Sequence, residues 1–120
     1  MSFADELRKE TKTPEQLEAE RREKEGRDFR FYSNVMFNHM KESCSMAARN
    51  GKREASERLR SGIGDTPFVV SFNTREEALR YADEVKARLI AEGLTDTSYK
   101  LESFGHFSNK SYQVRFTIKW

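Results

Sequence analysis

A chain of 120 residues, of which 36% are hydrophobic and 35% charged, has room for one domain with a small core. Lys and Arg outnumber Asp and Glu by only 22 to 20, which excludes the strongly basic composition of a polyanion-binding tail. Cys44, the single cysteine, cannot form an internal disulfide, and the sequence has neither a signal-peptide pattern nor a membrane-spanning apolar run. We therefore expect a soluble protein of a reducing, intracellular compartment with no membrane partner.

The charge is unevenly distributed along the chain. Residues 1–30 contain eight basic and nine acidic residues, residues 31–62 contain six and three, and residues 63–120 contain eight of each. All of the excess positive charge therefore lies in the middle segment.

Two helix starts are predicted near the amino terminus. Ser2 precedes a short run with acids in its first turn, which is typical of an N-cap and the helix that follows it. Thr13 is followed by Pro14 at the first helical position and by Gln16 at the position that closes a capping box. A second helix is therefore expected to begin directly after Thr13.

The stretch from Glu15 to Arg30 favours a helix that has almost nothing to bury, because Leu17 is its only sizeable apolar residue before Phe29. Acid-first pairs at i,i+4 stabilise it, namely Glu18/Arg22, Glu20/Lys24 and Glu23/Arg27. We predict that residues 1–28 form a charged helical arm that is solvated or becomes ordered on a partner. The partner-binding residues predicted in this arm are Glu18, Arg21, Arg22, Lys24 and Arg27.

The pattern changes at Phe29, where apolar residues begin to recur at a spacing of three to four. This spacing predicts a helix that packs on a sheet, and Asn50-Gly51 is a natural end for it. A further short helix is expected over Lys52–Arg60. The apolar stripe consists of Phe29, Ser33, Met36, Phe37, Met40, Cys44, Ala47 and Ala48, widened by Phe31, Tyr32 and Val35.

Residues 67–120 have the pattern of a βαββ unit. Phe68–Phe72 is the first strand, Thr74 caps a helix that Gly93 closes, and Thr97–Phe104 and Ser111–Trp120 form a hairpin. The helix stripe consists of Ala78, Tyr81, Ala82, Val85 and Leu89, and the inner face of the last strand of Tyr112, Val114, Phe116, Ile118 and Trp120.

The predicted fold class is α+β, with N-terminal helices packed on a small three-stranded sheet of mixed or antiparallel strands. The predicted organisation is a charged arm over residues 1–28 and a single domain over residues 29–120. Within that domain we expect helices over residues 29–60 and the βαββ unit over residues 67–120.

Residues with reactive chemistry are few, so we expect no catalytic residue, no metal site and no cofactor. His39 and Cys44 lie five residues apart on a helix and point about 140° away from each other, so they share no face. We expect Cys44 to pack as a small hydrophobe and His39 to lie on the helix surface. Gly62-Ile63-Gly64 lacks the Gly-Lys-Ser/Thr ending of a phosphate loop and is expected to be a linker.

A basic segment around the predicted helix break at Gly51 is a candidate anion-binding site. Its members are Arg49, Lys52, Arg53, Arg58 and Arg60. Free backbone N–H groups at such a break would add to the attraction for phosphate. Glu54 and Glu57 in the same stretch oppose it, and a solvated helix of mixed charge is the competing interpretation.

The polar face of the last strand carries Gln113, Arg115, Thr117 and Lys119, with Lys100 and Glu102 on the neighbouring strand. An RNA-reading sheet displays aromatic residues on its open face, so that bases stack on them. In the last strand the aromatic residues have the opposite parity and are expected in the core. The pattern therefore disfavours a base-stacking platform on this strand.

Three stretches resemble small uncharacterised proteins carried by prophages and other mobile elements of Gram-positive gut bacteria. They are Phe3–Arg8, the run Lys41–Ala48 leading to Gly51-Lys52-Arg53, and the alternating strand that ends in Trp120. The resemblance covers roughly a third of the chain. It implies a setting in which small charged proteins bind a host or defence complex, as anti-CRISPR proteins do.

The leading functional hypothesis is a non-enzymatic binding protein of a phage or mobile element that occupies a surface of a larger protein or nucleoprotein complex. The first alternative is a small nucleic-acid-binding protein that uses the basic segment of residues 49–60. The second is a homodimer, in which the amphipathic surface of Phe29–Ala48 pairs with its copy and the two arms embrace. It is suggested by Phe31, Tyr32 and Val35, which lie beside the main stripe.

Overall fold

The computed structural model describes residues 2–62 and 67–120 and has the predicted α+β fold class. Its elements in chain order are α1 (Phe3–Glu10), α2 (Pro14–Arg49), β1 (Glu54–Arg58), β2 (Arg60–Ser61), β3 (Phe68–Val69), α3 (Arg75–Ala91), β4 (Asp96–Phe104), a 3₁₀ turn (Phe107–Asn109) and β5 (Ser111–Lys119). Ile63 and Gly64 of the predicted linker lie outside the described residues.

The chain forms two compact units, Met1–Arg30 and Phe31–Trp120. Helix α2 passes through Phe29 as one element of 36 residues. The change of pattern at Phe29 is therefore a change in what the helix surface can bury and does not mark a helix boundary.

The three helix starts for which the sequence predicts a capping residue, at Ser2, Thr13 and Thr74, are confirmed. At the start of α1 the Ser2 and Asp5 side chains each bind the other's backbone N–H, which is a complete capping box. Before α2 the Gln16 N–H donates to Thr13 Oγ1 at 3.2 Å, and the Thr13 N–H donates to Gln16 Oε1 at 2.8 Å. Thr74 caps α3 by accepting from the backbone N–H of Glu77.

The main sheet has three antiparallel strands in the order β1-β5-β4. Strands β4 and β5 pair over their whole length, from Asp96 opposite Lys119 to Phe104 opposite Ser111, which confirms the predicted hairpin. Gly105 turns the chain there with φ +94, and a Cβ at this position would collide with the carbonyl oxygen of Asn109.

The helix predicted over Lys52–Arg60 is wrong, because residues 54–58 form strand β1 at an edge of the sheet. Ala55 and Leu59 are buried while Ser56 between them is exposed, so the segment has the alternation of a strand. Glu, Ala and Arg favour a helix locally. Five residue pairs with β5, from Glu54 opposite Lys119 to Arg58 opposite Arg115, outweigh that propensity.

The first strand of the predicted βαββ unit is also corrected. Only Phe68–Val69 is a strand, and it pairs with β2 in a separate two-stranded sheet. Phe72, the predicted end of that strand, forms an isolated bridge to Tyr112 with backbone hydrogen bonds of 2.7 and 2.8 Å. The third strand of the main sheet is therefore β1, which precedes the linker in the sequence. It is not the predicted strand Phe68–Phe72, which follows the linker.

Two helices and one face of the main sheet share the core. The buried apolar residues are Met36, Met40 and Cys44 on α2, Ala78, Ala82, Val85 and Leu89 on α3, and Ala55, Leu59, Phe72, Val114, Phe116 and Ile118 on or beside the strands. The predicted stripes of both helices are thus confirmed at their centres. Trp120 departs from the prediction, because it follows the end of β5 and is 39% exposed.

Candidate functional site

The predicted arm residues lie in the first compact unit, and no residue described between positions 2 and 30 is buried. Glu18 accepts hydrogen bonds from Arg21 at 2.8 Å and from Arg22 at 3.1 Å. The Arg21 guanidinium holds the pKa of Glu18 below its usual value, and Glu18 in turn raises the pKa of Arg21. Lys24 and Arg27 are exposed on the other side of the helix. The five predicted residues therefore do not share one face.

Apolar side chains of this unit are exposed as well. Phe3 is 73% exposed and Leu7 47%, and the two lie at i,i+4 on α1. Leu17 on α2 is 55% exposed. The predicted binding residues of the arm are all charged and do not include these three, although Phe3 and Leu7 have the spacing of an amphipathic helix face.

The turn between α1 and α2 is closed by an ion pair that the sequence did not indicate. Lys12 Nζ donates to both carboxylate oxygens of Glu20, at 2.6 and 2.8 Å. These residues line one open depression of about 410 Å³ together with Lys9, Glu10, Thr11, Gln16 and Ala19. A depression this open to solvent suits a contact surface better than an enclosed small-molecule site.

The predicted basic segment is divided by the fold. Arg49 is the last residue of α2, and Lys52 and Arg53 follow in the turn, all three exposed. Gly51, with φ +78, donates its N–H to the Ala48 carbonyl, and the Lys52 N–H donates to the Ala47 carbonyl. The N–H groups expected to be free for an anion are thus used by a helix end, and the next element is a strand rather than a helix.

The other two members of that segment lie on strands and form ion pairs. Arg60 on β2 contacts Glu57 at 3.1 Å. Arg58 on β1 contacts Glu102 on β4 at 3.0 Å, although the two strands are not neighbours in the sheet. The second arginine at Glu102 is Arg115 on β5, at 3.5 Å. The structure therefore groups Arg58 with Arg115 and not with Arg49, Lys52 and Arg53.

This grouping belongs to the outer face of the sheet, the face opposite the core. Arg58 lies opposite Arg115, and Arg115 lies opposite Lys100. We call these three residues the cationic row. Arg58 and Arg115 hold the pKa of Glu102 below its usual value, with the hydrogen bond from Arg58 as the largest cause.

One aromatic side chain also lies on the outer face. Phe104 at the end of β4 is 41% exposed, and the Arg58 guanidinium carbon lies 5.8 Å from its ring centroid. The prediction against a base-stacking platform rests on the last strand alone and does not extend to Phe104. Phe104 has the outward parity of Lys100 and Glu102 on the neighbouring strand, and that signal was available.

Cys44 and His39, the two residues considered for nucleophilic or metal chemistry, both make contacts within the fold. Cys44 is buried, and burial raises the pKa of its thiol, which disfavours the reactive thiolate. His39 is half-buried, and its Nε2 lies 2.9 Å from the carbonyl oxygen of Gly62. Its expected place on the helix surface is therefore corrected to a half-buried contact with Gly62.

Large apolar side chains are also exposed near the middle of α2. Phe31 is 51% exposed and Tyr32 46%, and their rings meet edge to face at 5.3 Å. The homodimer suggested by these residues stays a prediction, which the mass of the protein in solution would test.

No helix within residues 2–62 and 67–120 is both long and apolar enough to cross a membrane. In the same part of the chain, no three His, Cys, Asp or Glu side chains come together as ligands for a metal ion.

Comparison of the chain with protein-family models, with curated proteins and with solved structures finds no match.

Proposed function

We propose that the protein is a non-enzymatic binding protein of a phage or mobile element, which occupies a surface of a host or defence protein or nucleoprotein complex. The N-terminal unit Met1–Arg30 is the contact surface in this proposal. It would act in the cytoplasm of a bacterial host cell, as an anti-CRISPR inhibitor does, and this setting follows the resemblance to prophage proteins.

The main support for the proposal is that the helices of this unit are well defined although none of its described residues is buried. Two capping boxes and the Lys12–Glu20 ion pair define its helices, yet no residue described from position 2 to position 30 is buried. Caps and surface ion pairs each contribute about 1 kcal/mol or less to a helix. The helical segments between positions 2 and 30 gain little from tertiary packing, so they are well suited to gain it from a partner.

The exposed apolar residues indicate how a partner would be held. Phe3 and Leu7 lie one turn apart on α1, which has the pattern of an amphipathic helix, and Leu17 is an exposed apolar residue on α2. A helix of this kind binds by placing its apolar side chains in a groove, while the charges around them set orientation and association rate.

The test is capture of partners from a nuclease-treated bacterial lysate with the immobilised full chain, with a chain lacking residues 1–28, and with Leu7→Ala/Leu17→Ala. Both residues are about half exposed, so the double variant should remain folded. Met46→Ala/Phe68→Ala is the matched control, because these residues are 56% and 59% exposed and lie in the second unit.

We expect a partner that the full chain and the control retain and that the truncated chain and Leu7→Ala/Leu17→Ala lose. Loss of two apolar anchors of an interface should weaken binding by about tenfold or more. Identical partner lists for all four proteins would remove the N-terminal unit from the function.

A further inference from the structure

The cationic row places three positive side chains directly opposite one another across all three strands of the main sheet. Arg58, Arg115 and Lys100 are successive Cα partners in the register. Neighbouring strands are about 4.8 Å apart, so the row spans about 10 Å. Like charges in directly opposed positions destabilise a sheet. An arrangement that breaks this rule is a reason to look for a ligand that supplies the missing negative charge.

The protein itself compensates only part of this charge. Glu102 is the one carboxylate in contact with Arg58 and Arg115 among the described residues. Lys100 is exposed and forms no ion pair in that part of the chain. Within the row, three cations against one carboxylate leave an excess of two positive charges, whereas Glu54, Lys119 and Asp96 at the far end of the same face have a net charge of −1. The arginine side chains remain accessible, since 36% of Arg58 and 38% of Arg115 is exposed.

An aromatic ring lies at one end of this row, and hydroxyl groups lie beside it. Phe104 is 41% exposed and contacts Arg58 through one side of its ring. In the next row of the outer face Ser56 is opposite Thr117, which is opposite Ser98. Cations, hydroxyl donors and an exposed aromatic ring are the groups that proteins use for the phosphates and bases of single strands.

We propose that the outer face of the β1-β5-β4 sheet binds single-stranded nucleic acid, with phosphates on Arg58, Arg115 and Lys100 and one base stacked on Phe104. The site is separate from the predicted basic segment, of which it contains only Arg58. It is also independent of the contact surface proposed for the N-terminal unit. An acidic protein segment would use the cations but would gain little from Phe104, so the aromatic ring favours nucleic acid.

The test is fluorescence anisotropy of labelled oligothymidylate, oligouridylate and a DNA duplex, titrated with the full chain at several salt concentrations. For three phosphate contacts on a single strand, log affinity should fall with log salt at a slope of about −2. Comparison of the oligothymidylate and oligouridylate titrations distinguishes DNA binding from RNA binding. A duplex bound more tightly than both single strands would overturn the proposal, because a paired base cannot stack on Phe104.

Two substitutions test the named contacts. Phe104→Ala should weaken binding about fivefold or more, which is the lower limit for loss of one stacked base. Lys100→Glu should weaken binding and reduce the salt slope by about 0.7. Lys52→Glu is the matched control, because it makes the same charge change at an exposed lysine of the predicted basic segment. Circular dichroism of each variant checks that it is folded.

Three further results would overturn the proposal. The first is no binding to either single strand at low salt. The second is a loss of affinity with Lys52→Glu and none with Lys100→Glu, which would assign binding to the predicted basic segment. The third is polyglutamate binding as tight as oligonucleotide binding and unaffected by Phe104→Ala, which would assign the row to acidic proteins. None of these results bears on partner capture by the N-terminal unit, because that experiment uses a nuclease-treated lysate.

Discussion

At the level of single residues, a hydrogen bond between the side chains of Tyr99 and Asp83 connects the main sheet to helix α3. The Tyr99 hydroxyl on β4 donates to Asp83 Oδ1 on α3 at 2.5 Å. This hydrogen bond to a carboxylate raises the pKa of Tyr99 to about 12, from 10.0 in an unstructured chain. The tyrosine therefore keeps its proton in the folded protein at a pH where the unfolded chain has lost it.

The first prediction concerns stability at high pH. Between pH 10 and about 12 the unfolded chain binds fewer protons at Tyr99 than the folded chain, so the free energy of unfolding should fall as pH rises. Tyr99→Phe should remove the contribution of Tyr99 to this fall. Below pH 10, where the hydrogen bond is intact in the wild type, the substitution should lower the free energy of unfolding by about 1 kcal/mol. Urea denaturation at a series of pH values measures both effects.

Tyr32→Phe is the control for this prediction, since it removes a tyrosine hydroxyl and leaves the bond between Tyr99 and Asp83 in place. If wild type and Tyr99→Phe lose stability in parallel between pH 10 and 12, the hydrogen bond to Asp83 does not protect the tyrosine proton.

At the scale of elements, local signals predict those parts of the fold that depend on neighbouring residues in the sequence. The helix starts at Ser2, Thr13 and Thr74 each have a capping side chain within three residues, and the structure confirms all three. Strand β1 has no such signal, because its partner β5 lies about sixty positions later in the chain. A segment rich in Glu, Ala and Arg becomes a strand only when that partner is present.

The second prediction tests the assignment of this segment through Leu59, which follows β1 and is fully buried. Its N–H donates to the Val114 carbonyl at 2.8 Å, and its carbonyl accepts from the Val70 N–H at 3.0 Å. Leu59→Ala should lower the free energy of unfolding by about 2–5 kcal/mol, because it leaves a cavity in the core. The midpoint of urea denaturation measures the change.

Leu17→Ala is the matched control, since Leu17 is 55% exposed and its truncation should change stability by about 0.5 kcal/mol or less. Equal effects of the two substitutions would contradict the position of Leu59 in the core.

At the scale of the whole molecule, the sequence predicts where charge is concentrated but not which charges meet. Arg58 belongs to the predicted basic segment, while Arg115 and Lys100 come from the hairpin. Only the order β1-β5-β4 places them in one row, and strand order depends on pairing between distant segments. The unburied N-terminal unit, by contrast, was predictable from its lack of apolar residues, which is a local property of the sequence.

The proposed function makes this unit, in which no residue described from position 2 to position 30 is buried, the surface that a partner covers. Hydrogen–deuterium exchange of the full chain, free and bound to the captured partner, tests it most directly. In the free chain we expect fast exchange over α1 and slow exchange around Met36, Met40 and Cys44, which pack in the core. On binding, we expect protection to increase over residues 3–24. Protection confined to the second unit, with residues 3–24 unchanged, would contradict the account.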